Sequence, residues 1–133
     1  MGTPPLVYSV SAASDSVMAG SPVVVSLSVT NPRVGAVSNV SVEGIVPPES
    51  PGFLDNTTTG MGVCGPFSFN TCSPRARVIW NIPTVGAGQT VTVTMSPPIR
   101  ADLPEGSVVR FVGRFQENIS TPAQILTDAV TVE

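Results

Sequence analysis

Apolar and polar residues alternate along this chain with a period of two. In 23–30, Val23, Val25, Leu27 and Val29 fall to one side while Ser26, Ser28 and Thr30 fall to the other, the repeat of a strand with one buried face. Val91, Val93 and Met95 alternate in the same way with Thr90, Thr92 and Thr94. In 108–115 the rule sends Val109, Phe111 and Phe115 inward and leaves Arg110 and Arg114 in water. Shorter versions occur at 6–10 (Leu6, Tyr8, Val10), at 39–45 (Val40, Val42), at 78–82 with Trp80 in the middle, and at 125–132. Seven strands are predicted.

Punctuation agrees with the periodicity. Turn-forming clusters stand between the periodic runs at 19–22, 31–35, 47–52, 86–88, 97–98 and 103–106. The 14 prolines are expected between strands, where a missing N–H costs no ladder bond. No segment carries a helical repeat of ten or more residues, and valine and threonine favour strands. The expectation is an all-β fold: an immunoglobulin-like antiparallel β-sandwich of about seven strands in two sheets. Its core would be built on Val25, Leu27, Trp80, Val93 and Phe111, with the lone indole filling the space between sheets about ten ångströms apart.

Composition narrows the function. At 133 residues the chain is one domain's worth, 1–133. Apolar residues make up 41% and charged residues 11%, yet no uninterrupted apolar stretch approaches the roughly 20 residues that cross a membrane as a helix, so no membrane insertion is expected. The net charge of −3 comes from scattered carboxylates, and the six cationic residues are all arginine and dispersed. Nucleic acid, which needs clustered cations, is not an expected partner. Histidine is absent, and with it the commonest general base and metal ligand. Lysine is absent too, which excludes Schiff-base chemistry, a P-loop and a lysine–asparagine cross-link. The opening Met1-Gly2-Thr3-Pro4-Pro5 has no charged start followed by an apolar run, so no secretory signal is visible. Either the protein is cytoplasmic or it is a module of a longer secreted chain, and three things favour the module: a Met-Gly start with the look of a cloning remnant, a last residue that falls in a strand-like segment, and an expected disulfide.

The order of several pieces resembles a known family. Ala19-Gly20-Ser21-Pro22 leads into the strand ending at Val29, Thr30-Asn31-Pro32 follows, then Ser38-Asn39-Val40-Ser41-Val42 and Ile45-Val46-Pro47. After a gap comes Val78-Ile79-Trp80-Asn81-Ile82-Pro83-Thr84-Val85-Gly86-Ala87-Gly88-Gln89-Thr90-Val91-Thr92-Val93. Together these resemble the repeat family named domain of unknown function eleven, over roughly 17–46 and 78–96. The resemblance implies an immunoglobulin-like module, commonly in tandem, in large secreted or envelope-attached bacterial and archaeal proteins. Read physically, Gly86 and Gly88 would supply the positive backbone angles of a tight reversal, and Gln89 and Thr90 would begin the next strand. The departure from the family is a long inserted loop, 47–77, carrying both cysteines.

Cys64 and Cys72 are the only two cysteines. A bridge closing about nine residues would contribute on the order of 2–3 kcal/mol by chain entropy. Two thiolates without histidine or further cysteine do not complete a zinc shell unless carboxylates help, and the spacing is not that of a redox motif. Phe67 and Phe69, two apart between the cysteines, are candidate partner contacts. They would either tuck over the end of the sandwich as a lid or stand exposed and rigidly held for a partner.

Other candidates are weaker. Asn39-Val-Ser41, Asn56-Thr-Thr58 and Asn118-Ile-Ser120 match the glycosylation acceptor pattern, which in a bacterial host reads as ordinary turn and strand residues. Asp15, Asp55, Asp102, Glu105 and Asp128 are spread through turns without an Asp-x-Asp run, so no metal is assigned, although Asp102 with Glu105 would be a place for calcium to be assembled between loops. Serines lack an activating base, no Gly-x-Ser-x-Gly elbow occurs, and no pair of acids is singled out for glycoside hydrolysis. The sequence therefore reads as a module with no enzymatic activity and no cofactor, located outside the cell or in its envelope. Its expected role is a structural spacer whose partners are neighbouring domains or copies of itself. The alternative is an adhesion or assembly module binding a surface protein or glycan through the disulfide-closed loop 61–75.

Overall fold

The computed structural model describes residues 4–54, 58–60, 62–65, 71–118 and 121–133. Every regular element among them is a strand: β1 Val7–Ala12, β2 Ser16–Val17, β3 Val25–Thr30, β4 Val37–Ile45, β5 Phe53–Leu54, β6 Val63–Gly65, β7 Thr71–Cys72, β8 Arg77–Val85, β9 Thr90–Met95, β10 Val108–Gln116 and β11 Gln124–Val132. The seven longest fall on the seven alternating segments. They form two sheets, β1-β3-β9 and β2-β11-β10-β4-β8-β6, and a separate ribbon β5-β7. The fold is an all-β sandwich.

Alternation decides which side chains meet. In the smaller sheet Val25, Leu27 and Val29 pair in register with Met95, Val93 and Val91 and face inward. In the larger sheet Val78, Trp80 and Ile82 come from β8, Val40 and Val42 from β4, and Val109, Phe111 and Phe115 from β10. One contiguous cluster of buried apolar residues joins the two layers. Trp80, Phe111 and Phe115 are its largest fully buried side chains, with Val25, Leu27 and Val93 packed among them.

The outward positions of the smaller sheet are of one kind. Ser9, Ser28 and Thr92 lie in one transverse row and Ser11, Ser26 and Thr94 in the next, while Thr30 and Thr90 share a third with Val7. Hydroxyl pairs cross the strands at Ser28 and Thr92, 2.9 Å, and at Thr30 and Thr90, 2.8 Å. No charged side chain interrupts these rows.

Five expectations need correction. Pro83 lies inside β8 and not between strands: the ladder pairs Ser38 with Thr84 and Val40 with Ile82 but steps over Asn39, which takes φ 57° opposite a residue that has no N–H to offer. Of the two glycines in the next turn, only Gly88 has a positive φ, 71°. Gly86 instead leaves room for the Gln89 amide, whose Oε1 accepts from its N–H at 3.1 Å. Pairing is not wholly antiparallel, because after β1 the chain changes sheets and β2 runs parallel to β11. The insertion 47–77 is not strandless, since β5, β6 and β7 arise within it and β6 extends the larger sheet beyond β8. Arg114 is half-buried, not fully in water, because it leans onto Glu43.

The strand directions define two poles. β1 and β11 run side by side in the same sense along one flank: Tyr8 and Gln124 line one groove, Asp128 Oδ2 accepts from Ala12 N–H at 2.7 Å, and Ser16 pairs with Thr131. At the leading pole the segments 31–35 and 85–89 are knitted together by Asn31. Its side chain is wholly buried and donates to Gly35 O at 2.8 Å and to Val85 O at 3.0 Å, while Oδ1 accepts from Arg33 N–H at 2.9 Å. At the trailing pole the segments 13–22, 97–107 and 131–133 are bound through backbone pairs such as Gly20 N to Ile99 O and Gly106 N to Val132 O.

Candidate functional site

Cys64 and Cys72 form a disulfide, with their Cα atoms 5.3 Å apart. Both cysteines are buried and belong to the core cluster. Cys64 is held in β6 opposite Val78 of β8, and Cys72 in β7 opposite Phe53 of β5. The bridge therefore sits at the root of the loop, inside the domain. Phe67 and Phe69, the candidate partner contacts, lie outside the described residues, as do Asp55, Asn56 and Met61.

Residues just before Cys64 reach across the open flank between the sheets. Trp80 Nε1 donates to Thr59 O at 2.6 Å, so the one polar group of a buried indole is satisfied by the insertion. Thr59 also attaches to β9: its N–H donates to Thr94 O at 3.1 Å, and its hydroxyl accepts from Thr94 N–H at 2.9 Å. A single residue thereby joins the edge of the smaller sheet to the central side chain of the larger one. The approach is close enough that a Cβ on Gly62 would stand 2.6 Å from Trp80 Nε1, and Gly60 turns the chain with φ 72°. Only glycine fits both requirements. Sequence reasoning placed Trp80 correctly in space but did not see that the insertion covers it.

A second concave feature lies at the leading pole. It is a groove of about 320 Å³ between the first residues of the chain and the β10–β11 connection, lined by Leu6, Tyr8, Pro122 and Gln124, with Arg33 and Glu117 in its wall. Arg33 grips Glu117 through both terminal nitrogens, at 2.7 and 2.9 Å, and donates Nε–H to Pro4 O at 2.7 Å, the forked geometry that makes arginine–carboxylate pairs specific. The hydrogen bonds from Arg33 hold the Glu117 carboxyl below its ordinary range against the opposing effect of burial, and raise the guanidinium in turn. Tyr8 stacks on Phe115 with ring centres 4.8 Å apart. Burial, and secondarily Glu117, push its phenol above the usual value, with Arg33 opposing. The two charges in the wall of this groove are paired with each other.

The remaining candidates are scattered. Asp102 pairs with Arg100 at 3.3 Å, Asp128 caps Ala12 and Ala129, and among the described residues no three acidic or sulfur side chains gather as a metal site. Asn39 lies in β4. No helix among the described residues is long and apolar enough to cross a membrane. The disulfide indicates a non-reducing setting.

Comparison with known proteins extends the fold and not the chemistry. No protein-family model matches the chain, and no curated protein matches it. Among solved structures it is similar to the sporulation control protein Spo0M from Bacillus subtilis, with a TM-score of 0.53 and 12% identity over 100% of this chain and 50% of that one. It is also similar to a family 123 glycoside hydrolase from Clostridium perfringens, with a TM-score of 0.53 and 9% identity over 97% of this chain and 27% of that one. At such identities the likeness is one of fold alone. The chain spans half the length of the first protein and about a quarter of the second.

Proposed function

We propose that this domain is a non-enzymatic spacer in an extracellular or cell-envelope protein. The observation that carries the reading is the parallel course of β1 and β11: the chain starts its first strand at the leading pole and finishes its last at the trailing pole. Modules built this way can be strung end to end, each adding the length of its strands. Nine-residue strands such as β11 span roughly 30 Å at about 3.3 Å per residue. Stiffness comes from a core shared by both sheets and from an insertion that ties β9 to Trp80. The resemblance to tandem bacterial surface repeats supports the same reading. Distant likeness to part of a glycoside hydrolase does not favour catalysis, because fold does not carry function, and the groove at the leading pole offers no activated group.

Small-angle scattering on two copies fused in tandem tests the proposal. The spacer reading expects a maximum dimension close to twice that of one copy. A fused pair that folds back to little more than the single-copy dimension would overturn it.

A second reading is favoured by the buried root of the disulfide. Anchoring Cys64 and Cys72 in the core fixes both ends of a short segment at the sheet edge, an arrangement that lowers the ordering cost of meeting a partner. In that case the Phe67→Ala and Phe69→Ala variants would keep the parental melting temperature and lose retention on arrays of surface proteins or glycans.

A further inference from the structure

The outer face of the six-stranded sheet differs from the hydroxyl-lined outer face of the smaller one. Its central row runs across five strands as Ile125, Arg114, Glu43, Ile79 and Val63, each directly opposite the next. The adjacent row is Thr127, Val112, Ile45, Arg77 and Gly65. Val63 and Ile125 are more than half exposed, at 58% and 57%, and Ile79 is 38% exposed. Glu43 points to this outer side yet is only 7% exposed, because Arg114 lies against it at 3.1 Å and Arg77 at 3.5 Å. Two guanidinium groups thus share one carboxylate, Arg114 half-buried against it and Arg77 more exposed. Arg110, one row beyond, is exposed on the same side. Three arginines against one glutamate leave the face positive in a chain whose net charge is −3.

The compensating negative charge is concentrated at the trailing pole. Asp15, Asp102, Glu105 and Glu133 are all exposed there, outnumbering Arg100 at Asp102 and the exposed Arg75 beside Val46, and Met18 stands at this pole 66% exposed. Pairing two copies through the same face would set arginines against arginines. Pairing face with pole sets arginines against carboxylates, and apolar side chains against Met18.

We propose that the outer face of the six-stranded sheet is a docking surface for the acidic trailing pole of a second copy of this chain. The contact is heterologous, so it joins copies head to tail, into a ring or an open chain according to the rotation between them. Charge segregation steers the encounter and fixes which surfaces meet, while the apolar row supplies buried area. The inference does not depend on the spacer reading, since a module of any function could associate this way.

Sedimentation analysis of the purified domain and two charge variants tests it. Arg110→Glu with Ile125→Glu reverses the charge of the face without substituting Arg77, Glu43 or Arg114 themselves. Asp102→Arg with Glu105→Arg reverses the pole at exposed turn positions. The parent is expected to self-associate at low ionic strength and to dissociate as salt shortens the screening length from about 30 Å toward 3 Å. Each variant alone should associate at least about tenfold more weakly, and an equimolar mixture of the two should regain association, because each then offers what the other needs. A parent that stays monomeric at low salt overturns the proposal. So does parental-strength association of either variant alone, or a mixture that fails to recover. Circular dichroism and the melting temperature of each variant establish that it is folded before the comparison is read.

Discussion

On the flank where β1 meets β11, the sandwich is closed by strands alone. The chain passes from one sheet to the other between β1 and β2, and Asp128 reaches from β11 to the Ala12 amide. On the opposite flank, among the described residues, no strand crosses from β9 to the edge formed by β8 and β6. An inserted segment does the joining there: Thr59 pairs with Thr94 and accepts from the indole of Trp80, while the disulfide fastens β6 to β7. The first flank is held by the short parallel pairing of β2 with β11 and by one carboxylate. The second is held by a few unlike contacts converging on one side chain. Damage should therefore be modest on the first, where no large buried side chain is involved, and severe at particular residues on the second.

Trp80→Ala is the strongest way to break this contrast. It empties the largest fully buried position and leaves Thr59 without its indole donor, and is expected to cost about 3–5 kcal/mol in chemical denaturation. A loss no larger than that of a variant on the β1–β11 flank would mean that the insertion is not part of the core. Next in size is the Cys64→Ser, Cys72→Ser double variant, expected to lose about 2–3 kcal/mol from a loop of sequence separation 8. Fluorescence of the single tryptophan gives its second readout: emission should stay that of a buried indole, since β6 still pairs with β8, and a red shift in the native state would show that the bridge itself holds Trp80 covered. Smallest is Asp128→Ala on the other flank, about 1.5 kcal/mol for the lost charge-assisted bond to Ala12 N–H. A cost comparable to Trp80→Ala would show that the two flanks are equally concentrated.

The long strands were legible because side chains in a strand repeat every two residues, so Val25, Leu27, Trp80, Val93 and Phe111 declare a buried side without reference to the rest of the chain. Trp80 had the further signal of being the only tryptophan. What stayed hidden depends on pairing between distant segments. Glu43 reads as an outward, wet residue, and it is outward; its burial exists only because β10 and β8 flank β4 and bring Arg114 and Arg77 over it. Arg33 and Glu117 are ordinary turn residues 84 positions apart until two loops meet at the leading pole. Asn31 belongs to a turn-forming cluster, yet nothing local says that its amide would reach Val85. Thr59 was invisible for a different reason, since an isolated threonine in a glycine-rich run carries no periodicity at all.

The rows of serine and threonine on the smaller sheet have an effect of their own. Hydroxyls do not ionise near neutrality, so the charge of this face does not change with pH there. Whatever stands beside this face therefore meets the same electrostatic surface at every pH in that range.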